Sequence, residues 1–355
     1  MTLRSTKLFV LASMLLGCAQ ATHAVIVLGP RQVITAADYL AGGRAQYQGI
    51  FGNYMGTPIA PRYFVTANHI GNNGGGFFNY HNGTSTLTTY RVTFAGRQDD
   101  LAIWKLDDDQ PSFTLWAPLY NRQSEPGLPL TAVGRGTDKG PELINESGQQ
   151  CGWYWGAADT VASFGTNDID GVLSIAPPGD PAGFGGDLLY FTFSNPVGTA
   201  VPTECSISAG DSGGGVFVVD PVDGVQKLAG IISLTDGGLS LHAGTPAINA
   251  AIFDARGLYY KSHQLHSFAQ IQLSSYATRI SSRQEFIRSI AGVPPLPCPA
   301  DFTGDRVVNT FDLAILLRNF GELVFPSTNG DVNEDGVVDT FDLAALLSKF
   351  GTPCP

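Results

Sequence analysis

The sequence predicts an all-β domain followed by a small α-helical module, and three observations carry that expectation. Short runs rich in β-branched and aromatic residues recur between turn formers up to about residue 291. A proline-rich stretch, "VPPLPCPA" at 293–300, then denies regular structure and reads as a stiff linker. Beyond it the chain repeats itself at an offset of thirty residues, each copy an acidic loop leading into an apolar helical pattern.

The strand candidates, in order, are "RYFVTA" (62–67), "YRVTFAG" (90–96), "LAIWKL" (101–106), "LLYFTFS" (188–194), "GVFVVD" (215–220) and "KLAGIISL" (227–234). "SSRQEFIRSIAG" (281–292) differs, because Phe286, Ile287 and Ile290 fall at helical spacing. Ser281 or Ser282 is suited to cap that helix and Gly292 to stop it.

With 43% apolar and 14% charged residues the chain reads as folded, and a net charge of −11 argues against nucleic-acid binding, which calls for a basic surface. Residues 1–24 have the build of an export signal: Arg4 and Lys7, an apolar run from Leu8 to Leu16, then small residues up to Ala24. "LLGC" also resembles a lipoprotein signal that would attach lipid at Cys18, with a poorer fit than ordinary export. No later segment has the eighteen apolar residues of a membrane span. Removing Cys18 leaves Cys151, Cys205, Cys298 and Cys354. Four cysteines allow three pairings; chain order suggests disulfide bonds 151–205 and 298–354, one in each domain. The expected division is therefore a signal at 1–24, a β-domain at 25–292, a linker at 293–300 and a helical module at 301–355.

"DFTGDRVVNTFDLAILLRNFG" (301–321) matches "DVNEDGVVDTFDLAALLSKFG" (331–351). The second copy sets side-chain oxygens at Asp331, Asn333, Asp335, Asp339 and Asp342, adds the carbonyl of Val337, and has Gly336 where the loop turns sharply. The first offers Asp301, Thr303, Asp305, Asn309 and Asp312 with the carbonyl of Val307; Thr303 is a weaker ligand, and Arg306 replaces the turn glycine. Hard oxygen ligands at this spacing wrap a short loop around Ca2+ in preference to zinc. Leu313, Leu316, Leu317 and Phe320, and their counterparts Leu343, Leu346, Leu347 and Phe350, line one face of each helix, and the two faces are expected to bury against each other. The paired units resemble a dockerin over residues 298–355. That resemblance implies two Ca2+ sites and a cohesin-like docking partner.

In the larger domain "RYFVTANHIG" places His69 directly after a strand, "RQDDLAIWKL" places Asp100 directly before one, and "AGDSGGGVF" holds Ser212. A hydroxyl of ordinary pKa needs an imidazole to take its proton, and the imidazole needs a carboxylate to hold its tautomer. Asp99 stands beside Asp100, which is preferred because it abuts the strand. The order His, Asp, Ser and the words "TANHI", "DLAIWKL", "GDSGGG" and "AGIISL" resemble the trypsin/chymotrypsin family of serine endopeptidases from about residue 50 to 291.

That resemblance implies a two-barrel chymotrypsin-like fold with a closing helix. It implies His69 as general base, Asp100 as its orienting carboxylate, Ser212 as nucleophile, and the N–H groups of Gly210 and Ser212 as the oxyanion site. Ser206 would lie at the base of the primary pocket, Ser233, Leu234 and Thr235 on its wall, and Ser275 near the closing wall. Asp211 matches a carboxylate that in many members pairs with a freed N-terminal amine. The family's cysteine after the catalytic histidine is replaced by Ile70. The functional expectation is an exported endopeptidase acting on polypeptides through an acyl-enzyme, carrying a calcium-dependent docking module. The alternative is a catalytically inactive, protease-like polypeptide-binding protein.

Overall fold

The computed structural model describes residues 25–158, 160–175, 185–194, 201–222, 224–266, 272–292, 300–303, 307–324, 330–333 and 337–352. The export signal with Cys18, linker residues 293–299, Cys298, Cys354, Asp305, Arg306, Asp335 and Gly336 lie outside them.

Six strands close into a barrel. In hydrogen-bonding order these are Gly49–Phe51, Tyr54–Ala60, Tyr63–Ala67, Leu101–Leu106, Thr88–Gln98 and Phe77–Tyr80, with Ile50 against Asn79 closing the ring. Alternating residues fill it with aromatic rings. Phe51, Phe64, Phe78, Tyr80 and Phe113 are buried, and Phe64 stacks on Phe78 with centroids 4.0 Å apart. Edge contacts, such as Tyr80 on Phe113 at 87°, complete a packing that favours offset and T-shaped pairs.

Among the described residues the expected second barrel is not seen as a closed sheet. The chain builds instead a seven-stranded antiparallel sheet, in the order Ser163–Asp168, Pro129–Gly134, Gly215–Val219, Gln226–Thr235, Ser274–Arg279, Gly186–Thr192 and Gly171–Ile175, whose two end strands are not hydrogen-bonded neighbours. Met55, Val65, Leu101 and Ile103 of the barrel share one core with Val133, Phe217 and Ile231 of the sheet. A three-stranded annex of Thr137–Ile144, Gln150–Ala158 and Ala250–Ile252 has its own small core around Leu143, Cys151, Leu239 and Leu258.

Helix α1 (Gln284–Ala291) buries Ile287 against the shared core, and Gly292 ends it at φ +61°. The expected serine cap is absent: Arg283 stands at the N-cap position without a side-chain cap. Ser281 is drawn instead to Glu125, a buried carboxylate also gripped by Arg279 at 2.9 and 2.6 Å. The chain enters α1 through the short 3-10 turn Ser281–Arg283, so neither serine occupies the N-cap position.

The expected 151–205 disulfide is overturned, while 298–354 lies outside the described residues. Among the described residues Cys151 and Cys205 are both free thiols, with no sulfur pair at bonding distance. Cys151 packs in the annex core with its Sγ 3.4 Å from the Leu143 carbonyl oxygen, whereas Cys205 belongs to the core of the large sheet. Chain order paired two residues that fold into different cores.

Helices α2 (Thr310–Arg318) and α3 (Thr340–Lys349) form the C-terminal region. Their expected apolar faces bury only in part. Leu316 and Leu346 are fully buried with Val308 and Val338, but Leu317 and Leu347 are 54% and 51% exposed, and Phe320 and Phe350 face outward as well. Two short helices crossing at one leucine each cannot cover a whole stripe.

Candidate functional site

Strand register brings His69 to Asp100. Tyr63–Ala67 runs antiparallel to Leu101–Leu106, ending at Ala67 opposite Leu101, and the Asn68 N–H extends the ladder to the Asp100 carbonyl. The next residues on each strand, His69 and Asp100, therefore meet at one end of the barrel. The His69 N–H donates to Asp100 Oδ1 at 2.9 Å, and ring Nδ1 lies 2.9 Å from each carboxylate oxygen. Two bonds from one residue to one carboxylate fix the ring plane. Nε2, on the far side of the ring, is 2.8 Å from Ser212 Oγ, although 143 positions separate the two residues. Asp100 is fully buried, and the His69 side chain keeps about a quarter of its surface exposed.

Ser233 also reaches this carboxylate, its hydroxyl donating to Asp100 Oδ2. The Ser233 hydroxyl is thus a third support of the acid, a role not expected for it and one that no local pattern signals. Asp99 is turned away at φ +51°, its carboxylate taking a 2.9 Å bond from Arg283. Of the two adjacent aspartates, Asp100 is the one on the histidine.

Ser212 sits in the turn that enters strand Gly215–Val219. The Gly213 N–H bonds to the Ile232 carbonyl, and the Ile232 N–H bonds back to the Gly214 carbonyl. Gly210 holds φ +97°, a conformation L side chains rarely adopt. Glycines 213–215 answer crowding by the protein itself. A Cβ on Gly214 would stand 1.9 Å from the Val133 carbonyl oxygen, and one on Gly215 would meet Phe217 and Gln48 at 2.5 and 2.7 Å. The run is a packing requirement of the protein itself. Among the described residues, the N–H groups of Gly210 and Ser212 donate to no other protein group, and both belong to the turn that carries the Ser212 hydroxyl.

Asp211 shapes that turn from beneath. It is fully buried and accepts from the Gly136 N–H at 2.7 Å, the Ser208 N–H at 2.7 Å, the Ser208 hydroxyl at 3.0 Å and the Val25 N–H at 3.3 Å. Burial nevertheless pushes its pKa up to about 6, because four neutral donors do not replace the lost water. Among the described residues no lysine or arginine pairs with it.

The remaining site residues lie on paired strands. Ser206 Oγ is 3.4 Å from Ser275 Oγ, Ser275 also takes the Ile207 N–H at 3.1 Å, and Thr235 stands opposite Ser275 in the sheet. Ser206 and Ser275 are buried, while Leu234 and Thr235 are half-buried at the strand end.

In the C-terminal region the last loop position closes each loop. Asp312 accepts from the Thr303 N–H and hydroxyl and from the Asn309 N–H; Asp342 accepts from the N–H groups of Val332, Asn333 and Asp339. Asn309 and Asp339 in turn cap α2 and α3 through the N–H groups of Phe311 and Phe341. Asp312, Asp331 and Asp342 are fully buried. Buried carboxylates among oxygen donors are the chemistry of a hard-cation site. Among the described residues no three acidic, histidine or cysteine side chains cluster as a metal centre, and the middle ligands Asp305 and Asp335 fall outside those residues.

Residues 299–350 match the family model described as the dockerin type I domain. The match supports a calcium-binding, dockerin-like module at this end of the chain. No curated protein matches the chain. Among the described residues no helix is long and apolar enough to cross a membrane.

Proposed function

We propose that the β-domain is a serine endopeptidase, and the observation that carries this reading is the continuous line Asp100, His69, Ser212 with links of 2.9 and 2.8 Å. His69 Nε2 takes the proton of Ser212 Oγ as that oxygen bonds to the scissile carbonyl carbon. The tetrahedral oxyanion is met by the N–H groups of Gly210 and Ser212, each worth about 3 kcal/mol in such sites. His69 then gives its proton to the departing amine, and water releases the acyl group by the same steps in reverse. Asp100 holds the Nδ1 proton and offsets the imidazolium charge. The hydroxyl-lined base at Ser206 and Ser275, narrowed by Thr235 opposite Ser275, suits small uncharged side chains.

Export fits the same site. Val25 holds φ +49°, a rarely populated angle for a β-branched residue. Cleavage between Ala24 and Val25 would turn the nitrogen beside Asp211 into an ammonium group. The C-terminal loops would hold Ca2+ through Asp301, Thr303, Asp305, Val307, Asn309 and Asp312, and through Asp331, Asn333, Asp335, Val337, Asp339 and Asp342. The ion would balance the buried carboxylates and stiffen each loop. Phe311 and Phe341, each 70% exposed, together with Leu317 and Leu347, offer a repeated apolar face to a cohesin-like partner.

The second reading is a protease-like domain that binds polypeptide without cleaving it, carried by the same docking segment, residues 299–350. Labelling by a serine-directed phosphonate, and peptide hydrolysis that disappears in Ser212→Ala, separate the two. An unlabelled wild-type chain that still binds polypeptide would leave the second reading standing.

A further inference from the structure

Lys139 takes no part in the reaction just described, yet its ammonium is committed to a single stretch of backbone. Nζ donates to the carbonyl oxygens of Val27, Leu28 and Gly29 at 3.0, 2.8 and 3.0 Å and stands 5.0 Å from the centre of the Trp153 ring. An ammonium has three N–H donors, and three carbonyls use them all. Among the described residues no carboxylate pairs with it, and burial lowers its pKa.

The stretch it grips is tied to the candidate site at two points. Ile26 and Val27 pair with Ser206 and Cys205, so the clamped strand is the neighbour of the pocket base. One residue earlier, the Val25 nitrogen reaches Asp211, whose other oxygen is held by Ser208 on the paired segment. The side-chain seat is apolar: Ile26 is fully buried against Phe193, Ala251 and Phe253. Apolar contact is non-directional and tolerates sliding along the strand, so register rests on the polar contacts: the short pairing, continued by the Leu28 and Gly29 N–H groups to the Glu204 and Pro202 carbonyls, and Lys139. Three carbonyls converging on one charge do not tolerate it, because each bond is charge-assisted and short.

We propose that Lys139 is a positioning residue, a fixed cation that locks residues 27–29 in register so that the Val25 nitrogen stays on Asp211 and the Gly210 and Ser212 N–H groups stay aimed. The proposal rests on the peptidase reading. Lys139 touches no reacting atom and acts only through the strand it holds.

The test compares the exported full-length chain with Lys139→Met and Lys139→Arg, using a peptide anilide, a serine-directed phosphonate and hydrogen exchange. In Lys139→Met, kcat falls at least about tenfold while KM changes less than about threefold, the pattern of a misaimed transition-state contact. Phosphonate labelling of Ser212 slows in parallel. The Leu28 and Gly29 amides, which donate to the Glu204 and Pro202 carbonyls at 3.0 and 2.7 Å, lose protection while barrel amides keep theirs. Lys139→Arg restores most of kcat. A Lys139→Met chain with wild-type kcat and wild-type exchange at Leu28 and Gly29 overturns the clamp. If that variant does not fold, Lys139→Gln, which keeps a donor without the charge, carries the same comparison with the same two outcomes. A wild-type chain inert to both anilide and phosphonate overturns the peptidase reading instead, and exchange at Leu28 and Gly29 then judges the clamp alone.

Discussion

The two functional regions are built on opposite plans. In the C-terminal module every designated ligand falls within one twelve-residue loop, and the same loop recurs thirty residues later. In the β-domain the hydrogen-bonded line of Asp100, His69 and Ser212 joins residues 31 and 143 positions apart, held by a barrel on one side and an open sheet on the other. A local site is robust to changes elsewhere but weak alone, since a short loop and helix bury little. A distributed site is rigid but depends on every element that meets there. Cooperative dependence should therefore distinguish them.

The largest effect is expected at the distributed site. Asp100→Asn keeps the shape but loses the charge and the correct tautomer of His69, so kcat should fall by roughly 10⁴-fold. Calcium titration of the C-terminal module should be unchanged in that variant; a shifted titration would erase the distinction between the regions.

Next comes the local site. Asp342→Ala strands the N–H groups of Val332, Asn333 and Asp339, a loss of about 3 kcal/mol at roughly 1 kcal/mol each. Hydrogen exchange should rise over 330–352 and not in the barrel. Chelation should do the same to both loops, whereas equal protection with and without calcium would argue against ion binding there.

Asp211 links the site to pH. Its folded pKa of about 6 lies above the ordinary 3.8, so folding favours the neutral acid. That contribution is complete below about pH 4 and is lost as pH rises through 6, amounting to roughly 3 kcal/mol. Denaturant melts from pH 4 to 8 should show this loss in a chain retaining Ala24. In a chain beginning at Val25 the ammonium stabilises the carboxylate, and the loss should vanish; identical profiles would separate Asp211 from the amino terminus.

The smallest effect belongs to Asp99. Asp99→Asn weakens the 2.9 Å bond from Arg283 and should cost about 1–2 kcal/mol of stability with kcat within about twofold. Comparable kcat losses in the Asn variants of Asp99 and Asp100 would make the two aspartates one unit.

Much of the fold was readable. "LAIWKL" is a strand at 101–106 as expected, "KLAGIISL" lies inside Gln226–Thr235, and Gly292 ends the last helix of the β-domain. Those elements carry strong local patterns. The annex was not foreseen, because its strands alternate poorly and its core is small and shared with neighbouring segments, as where Ala251 meets Ile26 and Phe193. Nor was the hydroxyl of Ser233 on Asp100, a contact across 133 positions that no local word encodes.

By itself the sequence determined the repeat with its run of side-chain oxygens, the strand-forming words and the presence of a histidine, an aspartate and a serine in distinctive local words, because each rests on spacing within one turn, one loop or one strand. Only the tertiary structure decided which aspartate faces the histidine, that Cys151 and Cys205 stay apart, that one barrel closes while the other sheet stays open, and that a lysine holds the first strand. Those outcomes depend on register between distant strands and on which buried polar groups find partners, and both are set when the chain packs.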